Sequence, residues 1–84
     1  MTTAVVLIDV ERSAMAEFGP LLAAVEGVDE ALSVGGEWDF VAIVRVPKAE
    51  GLASVVSHAI GGLPGVVRTH SMIALETFKP AATD

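Results

Sequence analysis

The 84-residue chain has no cysteine, a single tryptophan and only five lysines and arginines. Without cysteine there are no disulfides, thiolate metal sites or iron–sulfur clusters. Five basic residues against eleven acidic ones leave a net charge of −6. That balance gives no basic footprint for neutralising phosphates, so direct nucleic-acid contact is not expected. It argues equally against an anionic membrane surface. No apolar run is longer than Ala4 to Ile8, which is too short to cross a bilayer as a helix. No basic segment precedes it, so it does not read as a signal peptide. A phosphate-binding glycine loop, a dinucleotide fingerprint and a paired-histidine metal motif are also missing. Neither a metal nor a cofactor is expected, and a cytoplasmic location fits the lack of cysteine.

What the chain does have is apolar residues, at 52% of the total. Its length corresponds to one domain, residues 1–84, with no linker, low-complexity tract or sequence repeat. A domain this small buries only roughly 60–65% of its unfolded surface. Part of the apolar excess therefore has to be covered by something else, and a second copy is the simplest cover.

Hydrophobic periodicity divides the chain into six elements. Thr3 to Val10 is β-branched and apolar on both sides, as in a strand buried on two faces. Ser13 is the expected cap of a helix whose apolar positions are Met15, Phe18, Leu22 and Val25. Gly19-Pro20 should bend that helix and Gly27 should stop it. Glu30 to Gly35 reads as a short strand and Asp39 to Val46 as a longer one, ended by Pro47. Lys48 to Leu63 carries Leu52, Val55, Val56, Ala59, Ile60 and Leu63 on one helical stripe, stopped by Gly61-Gly62 and Pro64-Gly65. Val66 to Phe78 reads as a long last strand, and residues 79–84 as a frayed tail.

The order βαββαβ is that of the ferredoxin-like α+β sandwich, a four-stranded antiparallel sheet with two helices on one face. The first and third strands are apolar on both faces, yet helices cover only one. The other face would be an apolar patch of a size that soluble monomers avoid. Sheet-to-sheet dimerisation follows, giving a dimeric α/β barrel.

Few residues are candidates for chemistry. Asp9, Glu11, Glu37 and Glu76 read as solvated charges at strand ends. Asp39 follows an aromatic directly after a glycine turn. It suits either a strand-start residue bonded to nearby backbone N–H groups or an acceptor for a bound amino group. Trp38 suits packing under the turn, a subunit contact or a pocket wall between subunits. Gly35 and Gly36 are expected to supply unusual backbone angles, and with them a close approach to a ligand carboxylate. His58 reads as a surface residue on the second helix. Arg68, His70 and Met72 share one face of the last strand. Thr69, Ser71 and Thr77 share the other with Val67, Ile73 and Leu75, and their hydroxyls need partners or water. No nucleophile and orienting partner accompany His70, so catalysis is not expected.

Gly36-Glu37-Trp38-Asp39, followed by Leu63-Pro64-Gly65-Val66 and then Thr69 and Ser71, resembles the effector-binding domain of the leucine-responsive regulator/AsnC, or feast/famine, transcription regulators. The resemblance runs from Ala4 to about Lys79. It implies a domain that pairs through its sheet, assembles into higher oligomers of dimers, and binds an amino acid or related metabolite between subunits. By that resemblance Gly36, Trp38, Asp39, Thr69 and Ser71 are the ligand-binding positions. Gly35 and Ser71 stand where the family often has threonine, which bears on ligand choice. Full-length members carry an N-terminal helix-turn-helix, whereas strand one here follows Met1 almost at once. The chain resembles the stand-alone members, able to co-assemble with full-length regulators and without DNA contacts of its own. Two other readings stay open: a dimeric α/β-barrel monooxygenase or isomerase using Arg68, His70 and Glu76, and an assembly partner without ligand.

Overall fold

The computed structural model describes residues 1–81. Its strands are β1 (Thr2–Val10), β2 (Val28–Ser33), β3 (Phe40–Val46) and β4 (Val66–Ile73), arranged in the order β2-β3-β1-β4 with every neighbouring pair antiparallel. Two helical segments fill the crossovers. The first is a 3-10 turn at Arg12–Ala14 that leads into α1 (Met15–Ala23). The second, α2, opens as an α-helix at Gly51–Ala53 and continues as a wider π-helix over Ser54–Ile60. This is the ferredoxin-like sandwich that the periodicity predicts.

The core lies between the sheet and the helices. Side chains alternate across a strand, so Ala4, Val6, Ile8 and Val10 of β1 are buried together with Phe40, Ala42, Val44 and Val46 of β3. Phe18 and Leu22 of α1, and Leu52 and Ile60 of the second helix, close over them. The rings of Phe18 and Phe40 meet with centroids 4.9 Å apart at 49°. A tilted pair of this kind is worth about 0.5–1.5 kcal/mol beyond its buried area. On the opposite face Val5, Leu7, Val41 and Ile43 are only half-buried, while Leu32 and Met72 are exposed. That face carries no helix.

Several local expectations are corrected. Ser13 caps nothing, because the helical path starts one turn early and Ser13 lies inside the 3-10 turn, with Glu11 and Ala14 in the cap positions. Pro20 sits within α1 without ending it, and the helix stops at Ala23, short of Val25. Strand β2 begins at Val28 rather than Glu30 and ends at Ser33 rather than Gly35, with a register shift between Val28 and Glu30. The second helix begins at Gly51, later than Lys48, and ends at Ile60, before Leu63. Its i→i+5 winding leaves Ala59 of the predicted stripe exposed. Strand β4 ends at Ile73, not Phe78. Its last rung is Ala74 N–H to Thr3 O at 2.8 Å, and β1 begins at Thr2, so further residues lack a neighbouring strand. Residues 79–81 have no regular structure and are exposed; residues 82–84 of the predicted frayed tail lie outside the described residues.

Gly65 explains why a Pro-Gly pair precedes β4. Its φ is +90°, a region that favours glycine, and a Cβ there would strike the Cβ of Ala14. Its carbonyl accepts the Glu11 N–H at 2.7 Å, tying the start of β4 to the turn before α1. Gly36 also has a positive φ, +123°, but open space surrounds the position of its Cβ. Gly65→Ala is therefore expected to cost about 2–4 kcal/mol, from backbone strain plus overpacking. Gly36→Ala should cost only the backbone part, about 1–2 kcal/mol. Urea unfolding of the two variants checks the order; equal losses would disprove the close-contact account of Gly65.

Candidate functional site

The turn Val34–Asp39 closes the end of the sheet at which β1 finishes. Asp39 is its anchor. Its N–H donates to Ile8 O at 3.1 Å, its carbonyl accepts from Val34 N–H at 3.0 Å, and its Oδ2 accepts from Val10 N–H at 3.0 Å. The backbone-bonding role predicted for an aspartate after a glycine turn is thus present. A carboxylate has about four acceptor positions, so one bond leaves capacity for another donor. Asp39 lines an open cleft of about 510 Å³ with Val10, Arg12 and Met15. One acidic, one basic and two apolar residues border that cleft.

Trp38 goes to the other side of the sheet. The Cζ of Arg68 stands 4.3 Å from its ring centroid, and the ring of His70 lies 6.2 Å away at 35°. Arg68 Nε donates to Asp9 Oδ2 at 2.7 Å. Register accounts for this group: Arg68 pairs with Asp9 and His70 with Leu7, so all of them share the face without helices. The cation–π contact is worth roughly 0.5–1 kcal/mol at an exposed site. The ion pair adds little, about 0.2–1 kcal/mol, because Arg68 is half exposed. Their joint effect is to hold Trp38 across the end of β1.

Thr69 and Ser71 pair with Ile8 and Val6, which places them on the helix-bearing face. Ser71 lines a separate apolar groove with Leu52, Val56 and Ile73. Gly36 is at the exposed tip of the turn. Of the five ligand-binding positions expected from the resemblance, the structure brings Gly36, Trp38 and Asp39 into one turn, with Trp38 and Asp39 directed differently. It leaves Thr69 and Ser71 outside the Asp39 cleft. Gly35, also expected to have an unusual backbone angle, does not have a positive φ.

Two participants escaped sequence reasoning. Asp9 appeared as a solvated charge, but its partner Arg68 is 59 residues away and only strand register unites them. Arg12 carried no signal, since its place beside Asp39 depends on the 3-10 turn. His58 is exposed, as predicted. Of the polar set of the enzyme reading, Arg68 and His70 lie together beside Trp38, and Glu76 lies past the end of the strand. Among the described residues no cluster of three or more His, Asp or Glu side chains is placed to hold a metal ion, and no helix is long and apolar enough to cross a membrane.

Asp39→Ala removes the acceptor of the Val10 N–H and is expected to destabilise the fold by about 1–3 kcal/mol. Asp39→Asn keeps an oxygen at that place and should recover much of the loss. Chemical denaturation of both variants tests this, and an alanine variant as stable as the wild type would refute the anchoring role.

Comparison with known proteins places this geometry in a family. The chain matches the model described as the Lrp/AsnC ligand binding domain over residues 3–83. It is 37% identical over 76 residues to the HTH-type transcriptional regulator FL11 of Pyrococcus abyssi, covering 90% of this chain and 50% of that protein. The chain thus spans about half the length of the curated relatives it matches. Among solved structures it is similar to TTHA0845 from Thermus thermophilus, with a TM-score of 0.87 and 36% identity over 95% of this chain and 100% of the other. It is also similar to the feast or famine regulatory protein Rv3291c from M. tuberculosis complexed with L-methionine, with a TM-score of 0.77 and 29% identity over 100% of this chain and 56% of the other. On this match, and with the fold that accompanies it, the chain belongs to the Lrp/AsnC ligand-binding-domain family.

Proposed function

We propose that this chain is a non-enzymatic effector-sensing and assembly module. It binds a free amino acid or a close relative beside the Gly36–Asp39 turn and couples that binding to association with other subunits. The observation that carries the reading is the juxtaposition of Asp39 and Arg12 in one cleft with Val10 and Met15. A zwitterion offers an ammonium group to the carboxylate and a carboxylate to the guanidinium. Charge-assisted hydrogen bonds of both kinds are about twice as strong as neutral ones. An apolar side chain then packs on Val10 and Met15. The methionine complex of Rv3291c, a relative at 29% identity, supports this class of ligand.

The helix-free face of the sheet supports the assembly part. Val5, Leu7, Val41, Ile43, Leu32 and Met72 make it apolar across β2, β3, β1 and β4. Stacking two such faces about 10 Å apart is the ordinary way to cover them. The Asp39 cleft is open to solvent, so a neighbouring subunit can complete it, and Thr69 and Ser71 of that neighbour are then candidates for its far wall. Ligand and assembly are linked by differential affinity: a ligand that contacts two subunits favours the larger assembly. The net charge of −6 gives this unit no basic surface for DNA, and full-length regulators of this family are the natural partners for co-assembly. Such a module works in the cytoplasm.

The test is a thermal-shift screen with the twenty L-amino acids at millimolar concentration. A ligand confined to the folded state adds about 2.7 kcal/mol of stability at a hundredfold excess over Kd. Apolar amino acids, methionine among them, are expected to raise Tm, and Arg12→Ala to abolish the rise without changing the ligand-free oligomer. Ser71→Val tells where the site ends: loss of the response places Ser71 of a neighbour in it, and a retained response confines it to the Asp39 cleft. A flat profile for all twenty amino acids would overturn the sensor reading.

A further inference from the structure

Asp9 stands where two sets of contacts meet. Its chain neighbours Ile8 and Val10 hold Asp39: Ile8 O accepts the Asp39 N–H at 3.1 Å, and Val10 N–H donates to Asp39 Oδ2 at 3.0 Å. Asp9's own Oδ2 accepts from Arg68 Nε at 2.7 Å, and the Cζ of Arg68 lies 4.3 Å from the ring centroid of Trp38. Trp38 and Asp39 are consecutive residues, so the contacts close a circuit: the end of β1, Asp39, Trp38, Arg68, Asp9 and back to β1. Strand geometry makes the circuit possible. The ladder between β1 and β3 ends at Ile8 and Phe40, and β1 shifts register against β4 between Asp9 and Val10. Irregularities of this kind re-aim side chains beside functional sites. Here the end of β1 presents Val10 N–H to one jaw of the turn and the Asp9 side chain to the residue that grips the other.

We propose that Arg68 is a positioning residue for the ligand of the Asp39 cleft. Docked on Asp9, it clamps the Trp38 ring, and the clamp keeps the adjoining Asp39 carboxylate in place. The inference rests on the amino-acid cleft proposed above. Arg68 does not line that cleft, whose walls are Val10, Arg12, Met15 and Asp39, so it acts through the turn.

The turn needs such a restraint at its base. Nothing packs on Gly35 or Gly36, so its tip is held by no neighbour. A guanidinium suits the task, because it can stack on an aromatic face while its N–H groups bind a carboxylate, and it stays charged. Asp9 is the sheltered half of the pair, with a side chain 18% exposed against 53% for Arg68, so the bond is less screened by salt than one between two open side chains. The ring of His70 flanks Trp38 at 6.2 Å. Without the cation, the turn would spend part of its time with Asp39 out of register with Arg12, and apparent affinity falls in proportion to the competent fraction.

Trp38 is the only tryptophan and the chain has no tyrosine, so its emission reports on the clamp alone. Arg68→Met keeps an unbranched stem and removes the cation. With L-methionine as the probe, Kd measured by calorimetry is expected to rise roughly tenfold, as it would if the competent fraction fell to about a tenth. Circular dichroism should not change, the fast component of the Trp38 anisotropy decay should grow, and Arg68→Lys should bind between the two. Coupling is reciprocal, so L-methionine should shrink that fast component in the wild type, although it binds on the other side of the sheet. In a Trp38→Leu background, Arg68→Met should change Kd no further, since the clamp has lost what it grips. An unchanged Kd in Arg68→Met, or the same weakening with and without Trp38, overturns the positioning role and leaves the cleft standing. A wild type that does not bind L-methionine overturns both.

Discussion

The position of β1 constrains everything else. It holds the two longest ladders of the sheet, to β3 through Thr2–Ile8 and to β4 through Ala4–Val10. Its even-numbered side chains from Ala4 to Val10 enter the core, and its odd-numbered ones form the middle of the opposite face. A slip of one residue would exchange these sets. The turn that holds Asp39 and the pairs that hold Arg68 and His70 all take their places from this strand. The candidate ligand cleft and the apolar sheet face are thus two consequences of one register.

Asp39 has a structural role that leaves room for the proposed binding role in the same side chain. Its backbone N–H and one carboxylate oxygen are spent on joining the turn to Ile8 and Val10. Asp39 also lines the cleft that Arg12 and Met15 border. With its backbone bonded to Ile8 and Val34 and its carboxylate to Val10, Asp39 would be a pre-positioned acceptor that loses little rotamer freedom on binding. The π-helical stretch is a second departure from regular geometry, and it borders the groove that contains Ser71.

The sequence made the fold legible because each element has an unambiguous period. Two-sided apolarity in Thr3–Val10 and Asp39–Val46 and the Leu52–Val56–Ile60 spacing are local, and all of them correspond to observed elements. Boundaries were less legible where an end depends on a distant partner. Strand β4 stops at Ile73 because β1 has ended, a fact not written in residues 74–78. Ser13 failed as a cap because one extra 3-10 turn precedes the α-helix. The site was legible at the turn, through glycine, aromatic and carboxylate in succession. It was illegible where cross-strand register decides: the Asp9–Arg68–Trp38 group, the sharing of a cleft by Arg12 and Asp39, and the placement of Thr69 and Ser71 on the face opposite Trp38.

The contact of Gly65 with Ala14 has a bearing on where this architecture tolerates change. It pins the β1–α1 connection to the connection into β4, and the Glu11–Gly65 hydrogen bond fixes the spacing of the two. Neither segment can lengthen without displacing the other, so insertions at that place would be disfavoured in descendants of this chain. The tip at Gly36 has nothing packed upon it. Diversification by loop length is channelled to that tip, so the backbone is free to vary closest to the proposed ligand position.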